Sequence, residues 1–529
     1  MNFNFLKTAL LGGLLFVGSL HVSAQSAEDA IRYTQRMLNA GARSMGIGMT
    51  GRAGIGDWSA TALNPAGLGW SKYSSFQGGL QMLSGEDESS FVLPQTATQT
   101  NKETFNTSAI SNLGYLKKAE VARGSLAFGI GVNKVTQYDR TSRFSGENGE
   151  NSITDYFLPA DDAYTVNAGT DGVIGTNDDR FSFTSPISTI AFETYAIDFD
   201  KAFYTANKYP FFAGIQTGTV SQEGSVRESG DVNELSFAGA WEAARNVMVG
   251  ASVNILFGNY KYRRSFTEND KYNDNDGTYP NDGTYQTVNF NSLTLTENLD
   301  TGVSGANLRL GLSTKLTENL KIGVVAETPT QYSIAEDYAT ILATKYDDGG
   351  TYEYGGLSYD VGTGAFDYRI ATPWRLGAGV QFSSSHVNLF GDVEFTDWSK
   401  MKLSAESDRD YFNHLNDNIA DNYQSSVQVA LGGEFIWRNF SVRLGAGRNP
   451  DARKNPEVSR EKTYASLGAG VKFGNRFELN AAVMTEMYDD LYLPYTDLST
   501  FSPLRLNVYP MVNRKVIRQF GTLELKVTL

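Results

Sequence analysis

The C-terminal half of the chain repeats one unit: two strands of strict apolar and polar alternation, joined by a turn of a few residues. Trp374, Leu376, Ala378, Val380 and Phe382 alternate with Arg375, Gly377, Gly379, Gln381 and Ser383. Val387, Leu389, Val393 and Phe395 then alternate with Asn388, Asp392 and Glu394. The pattern returns from Val427 to Trp437 and crosses Arg438-Asn439 into Phe440, Val442, Leu444 and Ala446. It returns again from Ala465 to Phe473 and crosses Asn475-Arg476 into Phe477, Leu479, Ala481 and Val483. Successive side chains of a strand point to opposite faces, so each of these strands has one apolar and one polar face. A chain built from such units folds as antiparallel sheet.

The spacing of the turns says what kind of sheet. From Tyr73 onward the chain reads as strand and loop only. Six tight connections lie near Lys117–Arg123, Ala243–Asn246, Thr317–Asn319, Ser383–Ser385, Arg438-Asn439 and Asn475-Arg476. Seven longer polar ones alternate with them, near Gly85–Glu103, Glu147–Lys208, Glu268–Asp300, Tyr346–Gly364, Asp408–Asp421, Asn449–Glu461 and Asp489–Val512. Thirteen connections join fourteen strands, with Gln216–Ala243 read as one long strand kinked near Gly230 and two strands as the alternative. Short turns on one side, long loops on the other and an even count mark a transmembrane barrel. The chain ends on a further amphipathic strand, Gly521, Leu523, Leu525, Val527 and Leu529. Such an ending is similar to the signal read by the barrel-assembly machinery, with Leu529 where Phe or Trp usually stands.

Composition narrows the setting. Residues 1–24 read as a secretory leader: Lys7, the apolar run Ala9–Leu20, then Val22-Ser23-Ala24 as a cleavage site before Gln25. Cys is absent, which removes disulfides, thiolate metal sites and Cys nucleophiles. It also removes a lipoprotein anchor. No later run approaches the ~18–20 apolar residues of a spanning helix. Fifty-three Gly, 28 Tyr and 31 Phe with only 41% hydrophobic residues suit a barrel that is apolar outside and wet inside. The net charge of −14 argues against nucleic acid as a partner, and much of the acid sits in loop-like stretches such as Asp161-Asp162 and Asp347-Asp348.

The segment 25–70 differs from the rest. Ser26 with Asp29 is placed to cap a helix carrying Ile31, Met37 and Leu38 and closed by Gly41. A glycine-rich stretch, Gly46–Gly56, follows, then a short helix around Trp58–Leu63 that must end before Pro65. Residues 40–68 contain Gly-Ala-Arg-Ser-Met-Gly-Ile-Gly (Gly41 to Gly48), Asp-Trp-Ser-Ala (Asp57 to Ala60) and Asn-Pro-Ala-Gly (Asn64 to Gly67). This order resembles the opening of the FadL/TodX family of outer-membrane transporters for hydrophobic compounds. Asp29 to Tyr33 looks like the variant in Bacteroidetes relatives. The chain departs from the family at Thr50-Gly51, where an aromatic residue is usual. The resemblance implies an all-β, fourteen-stranded antiparallel transmembrane β-barrel plugged by a small N-terminal helical hatch. The division is then a leader at 1–24, a hatch at 25–70 and a barrel with long extracellular loops at 71–529, in the bacterial outer membrane.

Candidate site residues follow. The resemblance places the gate at Asn64, Pro65, Ala66 and Gly67. Arg43 and Arg52 are the hatch cations after the first helix; each suits either a ligand carboxylate or an acid on the barrel wall, and the wall is the favoured partner. Ser185–Phe199 is too apolar for a bare loop, and Ile187, Ile190 and Tyr195 suit an outer hydrophobic groove or a cover over the barrel mouth. Asp171, Asp178 and Asp179 offer hard oxygens to Ca²⁺, but their spacing is not that of an EF-hand, and a solvated acidic loop is the favoured reading. His21, His386 and His414 form no catalytic or metal-spaced motif, so the chain reads as a non-enzyme without a cofactor. Haemin uptake lacks an evident axial ligand.

Two functions compete. One is diffusive, hatch-gated uptake of hydrophobic compounds, long-chain fatty acids in particular. The family's members bind ligand between the outer loops, then beside the hatch, and some release it sideways through a kinked strand. The other is a barrel of the same type that docks secreted proteins at the cell surface. Expected partners are outer-membrane lipid, a hydrophobic small molecule and the assembly machinery during insertion.

Overall fold

Fourteen spanning strands follow one another round a closed ring. They are Ser75–Val92, Gln99–Ala119, Leu126–Gln137 continued by Arg140–Asn148, Val220–Ala244, Val247–Asn269, Phe290–Lys315, Leu320–Glu327 continued by Gln331–Tyr346, Thr363–Ala371 continued by Arg375–Ser383, Val387–Asp397, Ser425–Trp437, Phe440–Asn449, Lys462–Phe473, Phe477–Tyr492 and Met511–Thr528. Each pairs antiparallel with the next. The last closes on the first, from Ser75 opposite Thr528 to Val92 opposite Met511. The computed structural model describes residues 27–36, 40–93, 99–174, 176, 178–206, 208–215, 218–275, 290–495 and 509–529. The expected leader, Ser26, Met37 and Leu38 lie outside these.

The alternation in the sequence is the alternation of the wall. Trp374, Leu376, Val380 and Phe382 are exposed on the outside, while Arg375 on the same strand is buried inside. In water this would be an inverted protein; in a bilayer it is the stable arrangement, because the backbone bonds close on themselves and the outer face meets acyl chains. The fifth strand presents apolar side chains outward from Val247 to Phe257. At ~3.3 Å per residue and a tilt near 40° that run is about 25 Å tall, the height of the apolar band of such barrels. Trp241, Phe382, Trp437, Phe440, Phe473 and Phe477 are exposed beside the short turns, as an aromatic girdle.

Departures from the expected pattern have local causes. The stretch Glu86–Ser90 is strand rather than loop, so the first outer connection is only residues 93–98. Its residues are polar on both faces because both have partners: Asp87 pairs with Arg140 inside, and Glu86 and Glu88 hold Lys102 outside. The expected loop at 408–421 is largely a helix, Arg409–Asn422, with Phe412, Leu415 and Ile419 buried. Pro329 and Pro373 lack an N–H and interrupt the seventh and eighth strands side by side. Thr372 N donates to Thr330 O (3.1 Å) and Thr330 N to Thr372 Oγ1 (2.8 Å), so the seam stays closed there. The kink expected at Gly230 is present, with φ +113° inside a single strand of 25 residues.

Outside the membrane, the described residues between 149 and 219 form a cap. Helix Ile153–Tyr156 starts at a capping box of Ser152 and Asp155. The hairpin Tyr164–Asn167 with Arg180–Phe183, helix Pro186–Glu193 and the pair Ile197–Phe199 with Phe211–Ala213 follow. Phe181, Phe183, Phe192, Phe199 and Phe211 pack ring to ring at centroid distances of 4.7–6.3 Å. Buried Glu268 on the barrel rim accepts from Ser152 Oγ, Ile153 N and Gln222 Nε2, which fastens the cap to the wall.

Candidate functional site

The segment 41–70 fills the barrel lumen as irregular, glycine-rich backbone. Gly41, Gly48, Gly51 and Gly54 have φ between +71° and +131°, conformations open to glycine but strained for other residues. Between them lie helix Ala42–Gly46, helix Ala60–Leu63 and a 3₁₀ turn, Pro65–Trp70. Pro65 opens that turn, where its missing N–H costs nothing.

Asn64 is the joint between these pieces and is fully buried. Its Oδ1 accepts from Ala66 N (3.1 Å), and its Nδ2 donates to Arg52 O (2.7 Å) and Leu312 O (3.1 Å). One side chain thus caps the turn, ties two hatch segments together and docks both on the sixth strand. The wall has bare backbone where the hatch touches it. A Cβ at Gly311 would collide with Asn64 Oδ1, at Gly250 with Ala66 N and at Gly323 with Arg52 O. Gly379 lies under Ala53, Gly432 under Ile47, Gly445 under Gly48 and Gly468 under Gly46. Trp58, fully buried, lies over Gly114 and Gly131 of the second and third strands and donates from Nε1 to Asn133 Oδ1 (2.7 Å).

Both hatch cations meet wall acids. Arg43 bridges Glu434 (2.8 Å) and hatch Asp57 (3.0 Å). Arg52 reaches Glu394 (2.5 Å) and Asp392 (3.5 Å), and Asp392 also accepts from the N–H groups of Gly51 (2.8 Å) and Arg52 (2.9 Å). Arg36 holds Glu327 (2.6 Å) and Glu394 (3.7 Å).

A cavity of about 970 Å³ lies between hatch and cap. Met45, Met49, Leu63, Met484 and Phe520 give it an apolar end; Tyr156 and Ile187 of the cap also line it. Eleven Lys or Arg side chains and seven Asp or Glu face it, although the whole chain carries −14. Arg140, Arg460 and Arg514 converge on Asp490. Arg140 Nη2, Arg514 Nε and Arg518 Nε are buried without a hydrogen-bond partner among the described residues. Helix Ala27–Thr34 stands in the cavity, with Tyr33 bonded to Thr301 and Glu336 and Glu28 near Arg460 (3.3 Å).

The wall beside this cavity lacks a continuous hydrogen-bonded ladder. The second and third strands pair only up to Asn112 opposite Asn133. Val135 is a bulge, and the third strand breaks at Tyr138-Asp139. Beyond that point the third strand stays on the fourth, and only side chains span to the first hairpin, among them Arg143 to Glu103 (3.5 Å) and Asn101 to Ser145 (3.2 Å). Gln81, Lys134 and Gln137, which border the gap, also line the cavity.

The other expected positions divide. Ile187 lines the cavity, Ile190 is fully buried against Gly355 and Gly362, and Tyr195 is exposed and meets Tyr352 edge to face (4.7 Å), so the three do not share one groove. Asp178 accepts from Thr170 and Thr176, and these bonds hold its carboxyl well below the usual range. Asp171 accepts from Val173 N and Asp179 from Thr176 N. Among the described residues no group of three acids or histidines surrounds one point. His414 lies on the helix Arg409–Asn422, and His386 bonds Ser385 in its turn. In the cap, burial pushes the Asp198 carboxyl up to about 6. Arg140, Arg514 and Arg518 were not singled out from sequence; their only signal is a cation at an inward, polar position of a strand.

No family model and no curated protein matches the sequence. Solved structures do match its fold. The toluene transporter TodX of P. putida aligns at 13% identity and TM-score 0.50, over 92% of this chain and 98% of that one. A FadL homologue of Pseudomonas aeruginosa aligns at 11% identity and TM-score 0.52, over 94% and 99%. A closed ring of fourteen strands, an N-terminal segment lodged inside it and full-length structural alignment together give this chain the fold of the FadL/TodX outer-membrane barrels.

Proposed function

We propose that the chain takes hydrophobic compounds from the outer surface into the cavity above the hatch, and that within this class it selects single-chain amphiphiles with an acidic headgroup, long-chain fatty acids in particular. The observation that carries this reading is the cavity, with an apolar methionine-rich end and an excess of cations. Arg140, Arg514 and Arg518 line this cavity from the barrel wall beside Asp490 and Glu486, and their guanidinium groups are the headgroup partners. The break in the ladder between the second and third strands supports lateral exit into the outer membrane. TodX is named for toluene, a neutral ring, so the acidic headgroup separates this chain's cargo from that protein's. Protein docking is the competing reading; a cavity that reaches the hatch favours conduction over it.

The test is native mass spectrometry of the detergent-purified barrel offered palmitate, the matching alcohol and toluene. Palmitate should bind in preference, and Arg514→Gln with Arg518→Gln should weaken it roughly tenfold while sparing the alcohol. Equal binding of all three, or a variant that binds palmitate normally, would sink the proposal.

A further inference from the structure

The outer wall carries a feature that transport of cargo through the lumen does not use. On the outward face of the fourth and fifth strands, Arg227 stands directly opposite Arg263. Like charges directly opposite on one face of a sheet destabilise it unless something lies between them. Two further cations flank this pair: Lys261 on the fifth strand and Arg143 on the third, whose neighbour Thr141 is opposite Arg227. Arg263 and Lys261 share one carboxylate, Asp300 (2.7 and 3.8 Å), and Arg143 has Glu103 (3.5 Å). Arg227 is exposed and has no ion-pair partner among the described residues.

Height decides what fills this patch. Phe257 is the last outward apolar residue of the fifth strand, and Lys261 lies four residues beyond it. That puts Lys261 about 10 Å above Phe257 along the membrane normal, the facing Arg263 and Arg227 about 15 Å above it, and Arg143, level with Ser265, about 20 Å above it. The acyl region ends near Phe257, so the cations stand above the headgroup layer, and long Arg and Lys stems reach back toward it. The outer leaflet of this membrane is built from phosphorylated glycolipid. A basic patch at that depth is the electrostatic complement of a phosphate, and a planar guanidinium takes phosphate oxygens two at a time.

We propose that Arg227, Arg263, Lys261 and Arg143 bind a phosphate of an outer-leaflet glycolipid, which bridges the two facing arginines. The site adjoins the gap between the second and third strands, so this lipid stands at the margin of that gap. The inference rests on the position of the barrel in the membrane and not on the identity of the cargo.

Purified full-length protein would be offered bisphosphorylated lipid A, its dephosphorylated form and inorganic phosphate, with binding read by native mass spectrometry. The wild type should retain the bisphosphorylated lipid through detergent exchange, and Arg227→Gln with Arg263→Gln should bind it roughly tenfold more weakly. Arg448→Gln, an exposed cation on the eleventh strand, should leave binding unchanged. Heat-modified electrophoretic mobility reports that each variant is folded. Equal retention of the dephosphorylated lipid, saturation by inorganic phosphate alone, or undiminished binding in the folded double variant would each overturn the proposal.

Discussion

Two residues show how local chemistry sets the behaviour of the moving parts. Asp198 sits in the cap with its carboxyl raised from 3.8 to about 6 by burial. The folded cap therefore holds this proton more tightly than the open one, and the contribution is fully present below about pH 4. It is lost as pH rises from about 4 to about 6, by an amount on the order of 2–3 kcal/mol. Hydrogen-exchange protection of the Phe199 and Phe211 amides should fall over that interval, and Asp198→Asn should flatten the profile. Asn64 is the second case. Asn64→Ala removes the donor to Arg52 O and Leu312 O and the acceptor for Ala66 N, leaving buried groups unsatisfied at about 1–3 kcal/mol each. Gly311→Ala attacks the same joint from the wall, an overpacking cost of about 1–3 kcal/mol. Both variants should keep the barrel's heat-modifiable mobility and show more frequent conductance events in planar bilayers. Silent bilayers would mean that the joint does not gate the lumen.

Elements explain what sequence reasoning reached and what it missed. The strands of the C-terminal half were legible because lipid on one side and a wet lumen on the other impose a period of two over the whole membrane thickness. That constraint ends where the membrane ends. Glu86–Ser90 are strand with no apolar face, and only the remote partners Arg140 and Lys102 reveal it. Helix Arg409–Asn422 did carry its signal, Phe412, Leu415 and Ile419 at helical spacing, among Asp and Asn residues that suggest loop. The hatch was legible from Asn64 to Gly67 and from its glycines. The cavity was not, since Arg140 meets Asp490 and Arg514 from a strand hundreds of residues away. The broken third strand invites a direct test, made clean by the absence of any native cysteine. Cysteines at Glu103 and Arg143, joined by a short cleavable thiol crosslinker, should lock the first hairpin to the third strand and slow uptake of labelled fatty acid. A reductant should restore it; unchanged uptake in the crosslinked protein would rule out this exit.

At the scale of the whole molecule, the ion pairs of Arg43 and Arg52 fasten the plug along one side of the wall. The ion pairs that Arg43 and Arg52 make with the wall go to the ninth and tenth strands, to Asp392, Glu394 and Glu434. Arg52→Ala leaves buried Asp392 without a cation, while Glu394 keeps Arg36 and Arg375, and breaking such a buried pair costs about 3–5 kcal/mol. It should raise protease cleavage within 41–70 while the barrel stays intact, and unchanged cleavage would show that the pair does not anchor the plug. In a ring of fourteen, those strands are diametrically opposite the second and third, where Trp58 is seated on the paired stretch next to the break in the ladder. The plug is thus hung like a door: its charged hinge is on one jamb and its indole latch is on the other. A swing about the hinge moves Trp58 furthest and the Arg43 and Arg52 ion pairs least, so its cost falls on neutral contacts of the indole and on the bond from Arg309 to Thr61 O rather than on those ion pairs.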